Sequence, residues 1–302
     1  MPNPNNLNIF AGVGPSALAY FSAVDTAGPV GSAGTPGTQT VTISGTPTGG
    51  TFQLSVTTLG GVYQTAPITV GTSLPLSSTV QSALTALPHC STITVTGSAG
   101  GPFTVTFPAS LPQTLMTVTS TLTGGTNPAV AVAVGTAGTQ TTTMATASIP
   151  TSFLCAGWCD QTGLVANVQE TSNQVKGFGS TQILRVLISD SARSFDLNML
   201  ETNPVTSTIY NRAPWGTIVA DAQGHWANAV GPAVVATYAG LFDLVDGYNH
   251  LRVYCPRLQV STVKARNVAA GKEVAWGVSL TALPDASGNA VYEDYIIANL
   301  AA

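Results

Sequence analysis

Charge is what this chain has least of. Asp, Glu, Lys and Arg make up 7% of its 302 residues, against about a quarter in an ordinary soluble domain. The shortage does not signal disorder, which pairs low hydrophobicity with high net charge; here 44% of residues are apolar. Such a chain stays soluble through Thr, Ser, Asn and Gln, or buries much of its surface against copies of itself. No basic run is present and the net charge is −4, which argues against sequence-reading nucleic-acid binding. No run of eighteen apolar residues occurs, so no membrane-spanning helix is expected. The opening "MPNPNNLNIF" has neither a positive n-region nor a long apolar h-region, so no signal peptide is expected.

Reactive side chains are equally sparse. Cys90, Cys155, Cys159 and Cys255 are too few for a disulfide scaffold, and free thiols are expected. Cys155 and Cys159 stand four apart in "FLCAGWCDQTGL", but no second Cys or His pair completes a zinc set, and the spacing is not the C-x-x-C redox pattern. They are expected to act as small apolar fillers. His89, His225 and His250 are isolated, and no G-x-S-x-G elbow is present. "GSAGG" and "GTPTGG" join strands with no Lys and no following helix, which argues against a phosphate cradle. Asp190, Asp196, Glu201, Asp221, Asp243 and Asp246 sit singly and are expected on turns or solvated polar faces. No catalytic, metal or cofactor site is expected.

What charge there is falls unevenly. Asp25 is the only charged side chain before Asp160. Between Gly28 and about Met144 the chain is mostly Thr, Gly, Ser, Val, Ala and Pro, which marks a separate module over 36–140 with linkers at 29–35 and 141–145. This module repeats itself. "TVTISGTPTGGTFQLSV" (40–56) is echoed by "TITVTGSAGGPFTVTF" (92–107) and loosely by "TSTLTGGTNPAVAVAV" (119–134). Each copy reads as a hairpin: a β-branched run, a Gly turn and a second alternating run. "SLPLSSTVQSALTALPHC" predicts one helix, with Ser77 or Ser78 as N-cap, Val80, Leu84 and Leu87 on one face, and Pro88 as its stop. Six or seven strands and one helix are expected.

The remainder, 1–28 with 146–302, reads as a second, discontinuous β domain. "TQILRVLISD" and "RSFDLNMLE" predict two strands separated by a polar turn. In the first, Leu184, Val186, Ile188 and Asp190 form the face expected to be buried. In the second, Phe195, Leu197 and Met199 form the apolar face. "TNPVTSTIY" predicts a short helix capped by Thr202 or Asn203 with Pro204 in its first turn. Asp246-Gly247 predicts the turn between two strands, and Val274, Trp276, Val278 and Leu280 share one face of a late strand.

Several segments, in one order, resemble the major tail tube proteins of long, non-contractile-tailed bacteriophages. "AGWCDQTGL" resembles an early signature of that family through Gly157, Trp158, Gly163 and Leu164, with Gln161 departing from an expected acid. Asn173 to Asn211 resembles the family's strand–turn–strand and Leu-Glu-Thr-Asn helix start. "LFDLVDGYNHLRVYCPRLQV" resembles its Asp-Gly hairpin, carried by Asp246 and Gly247. "EVAWGVSLTALPD" resembles its closing strand, and "GPSALAYFSAVDTA" its beginning. The resemblance implies a mainly β fold: a sandwich or barrel core with a short helix, plus an inserted β-rich domain carrying one helix and projecting outward.

It also implies a non-enzymatic virion protein that assembles in the host cytoplasm into hexameric rings stacked as a tail tube. The implied partners are other copies, a tape-measure protein, tail terminator and distal tail proteins, and DNA in non-specific passage. Ser189, Ser194, Asp196 and Asn198 then either line the channel or form an outer solvated face. The uncharged insert either binds host-surface glycans or only decorates the tube. An adhesive, carbohydrate-binding β-protein of a phage or bacterial surface is the competing expectation. A hydrolase using His225 or His250 is the third.

Overall fold

The computed structural model describes residues 17–297, apart from 59, 161, 177, 179–181, 233, 248, 267 and 269–272. The chain is mainly β and divides into two compact units: Val30–Ala147, and 17–29 joined with Ser148–Tyr295.

The first unit is a two-sheet sandwich of eight strands, one or two more than the repeats suggest, and one helix. One sheet runs β6 (Thr94–Thr96), β7 (Phe103–Phe107), β2 (Gly37–Ser44), β9 (Ala129–Thr136). The other is built on β3 (Thr51–Thr58), which pairs with β4 (Gly61–Gln64), β5 (Ile68–Thr69) and β8 (Thr117–Ser120). Alternation decides which side chains meet: Val41, Phe52, Leu54, Val56, Phe103, Val105 and Phe107 all turn into one buried cluster. Helix α1 (Ser77–Thr85) adds Val80 and Leu84 to it, with Leu87 partly buried. Its N-cap is Leu76, whose side chain makes no cap bond, rather than Ser77 or Ser78. Buried polar groups are satisfied without charge. Gln39 donates from Nε2 to Thr114 O at 2.8 Å and accepts at Oε1 from Met116 N at 2.8 Å.

Only the middle repeat is a hairpin, β6 with β7. The first and third cross from one sheet to the other, because β2 pairs with β7 and β9 while β3 pairs with β8. Their Gly-rich loops stack on each other: Thr126 N donates to Gly45 O and Thr123 N to Gly49 O, both at 2.8 Å. Gly125 sits at φ +70, where a Cβ would run into the carbonyls of Gly45 and Thr46. The linker segments are paired as well, with Thr35 bridged to Thr139 and Ser32 N donating to Thr142 Oγ1 at 2.9 Å.

The second unit is one antiparallel sheet in the order β10 (Leu154–Trp158), β1 (Ala17–Ala23), β13 (Thr237–Asp246), β14 (Asn249–Val263), β15 (Trp276–Leu283), β12 (Ile183–Met199), β11 (Val165–Lys176). A further strand, β16 (Tyr292–Ile296), pairs with β14. The sheet curls until its first strand meets its sixth. Cys159 bridges Met199, Asp160 N donates to Asn198 O at 3.0 Å, and Leu200 N donates to Trp158 O at 2.9 Å. Six strands therefore enclose the core, as closure of a twisted sheet requires. Phe21, Phe195, Leu197, Met199, Tyr238, Phe242, Leu258, Val278 and Leu280 fill it.

Helix α2 (Pro204–Tyr210) begins at a capping box. Asn203 Oδ1 accepts from Thr206 N at 2.9 Å, and Thr206 Oγ1 accepts from Asn203 N at 3.0 Å. Asn203 Nδ2 also donates to Ala156 O at 3.2 Å, tying the helix start to β10. The expected turn between "TQILRVLISD" and "RSFDLNMLE" does not exist. Ser191, Ala192 and Arg193 sit inside one seventeen-residue strand, because Glu170, Gln169 and Val168 of β11 supply continuous cross-strand partners.

Candidate functional site

The two halves of β12 lead different lives. Arg193–Asp196 is paired on both sides, with β11 and with β15, and the pairing with β15 runs on to Met199. Ile183 to Ala192 is paired with β11 alone and leaves the sheet as a two-stranded ribbon. Ten residues at about 3.3 Å each make it roughly 30 Å long. Phe195, Leu197 and Met199 are 2%, 1% and 0% exposed. Leu184, Val186 and Ile188, expected to be buried, are 68%, 55% and 63% exposed. The correction has a simple cause: among the described residues no second layer lies over the ribbon.

Register explains how the faces run. Directly opposed residues of an antiparallel pair share a face. Along β11 the residues Asn167, Gln169, Thr171 and Asn173 alternate onto one face, and they oppose Ser194, Ala192, Asp190 and Leu187. Ala166, Ser172 and Gln174 take the other face, opposite Phe195, Ile188 and Val186. The register slips by one at Thr171/Ser172, leaving Ser189 as the extra residue of a β-bulge, its Oγ donating to Thr171 O at 3.1 Å. Without the bulge, Ile188 and Val186 would share a face with Asp190 and Ser194. With it, the face that carries Phe195 in the core runs outward through Arg193 and Ser191 to Ile188 and Val186, and the face of Ser194 and Asp196 runs through Ala192 and Asp190 to Leu187 and Arg185.

Ser194, Asp196 and Asn198 are brought together on that polar face at the ribbon base, half-buried. Asp196 accepts hydrogen bonds from Ser279 and from Asn167 Nδ2, the latter at 2.9 Å. Asn198 Nδ2 donates to Asp160 Oδ2 at 2.5 Å, and Lys264 Nζ donates to Asn198 Oδ1 at 3.3 Å. Burial pushes the Asp160 carboxyl up, but hydrogen bonds from Thr162 and Asn198 outweigh it and hold the group below the usual carboxylate range. Ser189 stands apart from these three, at the bulge.

The signature residues fasten the point where β10 meets β12. Gly157 has φ +90, and a Cβ there would overlap the Glu201 carboxylate, which also accepts from Trp158 N at 3.3 Å. Trp158 itself is half-exposed, and Leu164 packs against the core. Gly163, at φ +62, closes a turn whose N–H donates to Asp160 O at 2.9 Å. Asp246 ends β13, and Gly247 turns the chain toward β14 at φ +58.

Two other expectations need correcting. Cys155 is exposed rather than a filler, while Cys159 packs partly against the core and burial pushes its thiol up to about 11. Asp243 is not a solvated acid. Its Oδ1 accepts from Arg252 Nε at 2.8 Å and lies 2.5 Å from His250 Nε2, and Arg252 is buried. Burial raises the Asp243 carboxyl, but these bonds and the Arg252 charge prevail and leave it lowered. The sequence carried no local signal for this trio, because Asp243 and Arg252 become cross-strand partners only once the hairpin forms. His225 lies exposed, 3.7 Å from Asp221. Among the described residues no group of three or more His, Cys, Asp or Glu side chains is placed to hold a metal ion. No protein-family model matches the sequence, and no curated protein compared with it is similar.

Proposed function

We propose that this protein is a structural subunit that assembles with copies of itself, as the repeating ring subunit of a phage tail tube. The observation that carries the proposal is the β11–β12 ribbon. A two-stranded ribbon is marginal in water by itself. Among the described residues, this one has an unpaired outer edge on β11, an unpaired edge on β12 up to Ala192, and an apolar row on top. Long uncovered strand edges of this kind pair with other chains unless they are blunted.

The magnitudes favour repeated contacts over a lone dimer. Covering Leu184, Val186 and Ile188 contributes about 3–5 kcal/mol at ordinary apolar transfer values. Association costs roughly 4–15 kcal/mol in lost freedom. One row therefore about breaks even, and a stable assembly also needs the backbone edges and contacts on both sides of each subunit. A closed ring supplies those, and stacked rings continue them.

In this reading the polar face with Ser194, Asp196 and Asn198, and Ser189 at the bulge, lines the channel. The tube forms in the host cytoplasm around a tape-measure protein, is bounded by terminator and distal tail proteins, and passes DNA without catalysis. Negative-stain microscopy of the purified full chain tests it. Rings or tubes are expected; dispersed monomers at all concentrations reject the reading.

One observation favours an adhesive role for the first unit. On the outer face of its sheet, cross-strand rows Thr94–Thr106–Thr38 and Thr96–Thr104–Thr40 form a neutral hydroxyl surface suited to weak glycan contacts. Removal of 36–140 is expected to leave assembly intact and to lower adsorption to host cells. Unchanged adsorption discards the glycan role.

A further inference from the structure

Resting on the assembly reading above, we infer that the ribbon tip of one copy seats Phe178 in an apolar pocket of the next copy, at the opposite end of the same strand. The pocket has a volume of about 470 Å³ and lies beside the start of α2, with Leu154 and Cys155 on one wall, Val205 and Thr208 on another, and Trp215 and Ile218 closing it. Among the described residues no charged side chain lines it. Its occupant must therefore be apolar and bring no charge, since an unpaired charge taken out of water is costly.

A segment of that description, with an aromatic side chain, stands at the far end of β12. From Gly177 to Leu184, between Lys176 and Arg185, eight successive residues are uncharged, and Phe178 within them is fully exposed. Uncharged tip and uncharged pocket match electrostatically, and an aromatic ring is the side chain that gains most from such a site.

Distance assigns the contact to a second copy. The pocket is built from residues that follow Met199, at the C-terminal end of β12, and from β10, which bridges β12 there. Phe178 precedes Ile183, at the other end. The strand between has sixteen steps, about 50 Å at ordinary strand rise. Twelve paired positions along β11 keep that half extended, which holds the tip far from its own pocket. A knob and a hole at opposite ends of one rigid element make a head-to-tail contact, which propagates from copy to copy as a ring or a filament.

Cys155 makes this measurable. It is the one exposed cysteine among the four, and it lies on the pocket wall. The full-length Phe178→Cys variant, treated with a short bis-maleimide, is expected to give a covalent ladder of dimer, trimer and higher species. Wild type and the Phe178→Cys/Cys155→Ser double variant are expected to give none. Independently, Phe178→Ala and Val219→Arg, the latter at an exposed position on the pocket rim, are each expected to raise the concentration needed for assembly at least tenfold. Their thermal unfolding is expected to match wild type.

If wild type assembles, no ladder forms and both variants assemble like wild type, the pocket contact is overturned and the assembly reading stands. A cross-link confined to the monomer band overturns the assignment to a second copy. Wild type that stays monomeric at every concentration overturns both.

Discussion

Residues 30–147 contain no Asp, Glu, Lys or Arg, whereas the unit formed by 17–29 and Ser148–Tyr295 contains every one in the chain. Both nevertheless enclose an aromatic-rich core between antiparallel strands. The uncharged unit forms its fold without drawing on charge. The uncharged unit satisfies its buried backbone with amides and hydroxyls, as where Gln39 serves Met116 N and Thr65 Oγ1 accepts from Leu54 N at 3.0 Å. The charged unit spends its carboxylates where strands join: Asp160 at the barrel seam, Asp196 at the ribbon base, and Asp243 across the β13–β14 hairpin.

That contrast can be broken first in the cores. Phe103→Ala in the uncharged unit and Phe195→Ala in the charged one are each expected to cost about 3–5 kcal/mol. Each should lower only its own unfolding transition. All four tryptophans, Trp158, Trp215, Trp226 and Trp276, belong to the charged unit. Tryptophan fluorescence therefore follows that unit alone, while far-UV circular dichroism follows both. Phe103→Ala shifting the fluorescence transition by as much as Phe195→Ala would show that the units do not unfold separately.

Acid sharpens the contrast next. The Asp243 carboxyl lies below its ordinary value in the folded protein. Its stabilisation is complete above the unfolded value, about pH 4, and is lost as pH falls through the folded value. Asp160 behaves in the same sense. The fluorescence transition is expected to fall in temperature between pH 5 and pH 2. The uncharged unit has no carboxylate to protonate, so its transition should stay in place. Asp243→Ala at pH 7 is expected to cost about 3 kcal/mol, because it takes the carboxylate from buried Arg252.

The smallest effects concern helix starts. Asn203→Ala removes a working cap and is expected to cost about 1 kcal/mol in the charged unit. Leu76→Asp places a cap where none acts, at an exposed position whose backbone is already extended. It is expected to stabilise the other unit by roughly 0.5–1 kcal/mol in urea titrations.

Local chemistry was legible in the sequence. Alternation gave the Phe195–Leu197–Met199 face, Asn203-Pro204 gave a helix start, and Asp246-Gly247 gave a turn. What a strand pairs with was not legible. The Gly-rich loop of 40–56 looks the same whether the chain folds back into a hairpin or crosses to the opposite sheet, since only the destination of the backbone hydrogen bonds differs. Nor does a pattern of Leu184, Val186 and Ile188 say whether anything covers it. Periodicity reports an apolar face; burial also requires a neighbour. The bulge at Ser189, which decides what shares a face with Asp196, has no sequence mark of its own.

The bridged segments at the base of the uncharged unit carry one more consequence. Thr35 and Thr139 stand directly opposite each other, so the chain leaves and returns through a gap one strand-pair wide. Such a gap is closed by a two-residue turn. An Asn-Gly in place of 36–138 would splice the flanking chain into a plain hairpin, and any domain whose ends lie equally close could occupy the same slot. Seen genetically, one point of entry and exit is what a removable cassette requires.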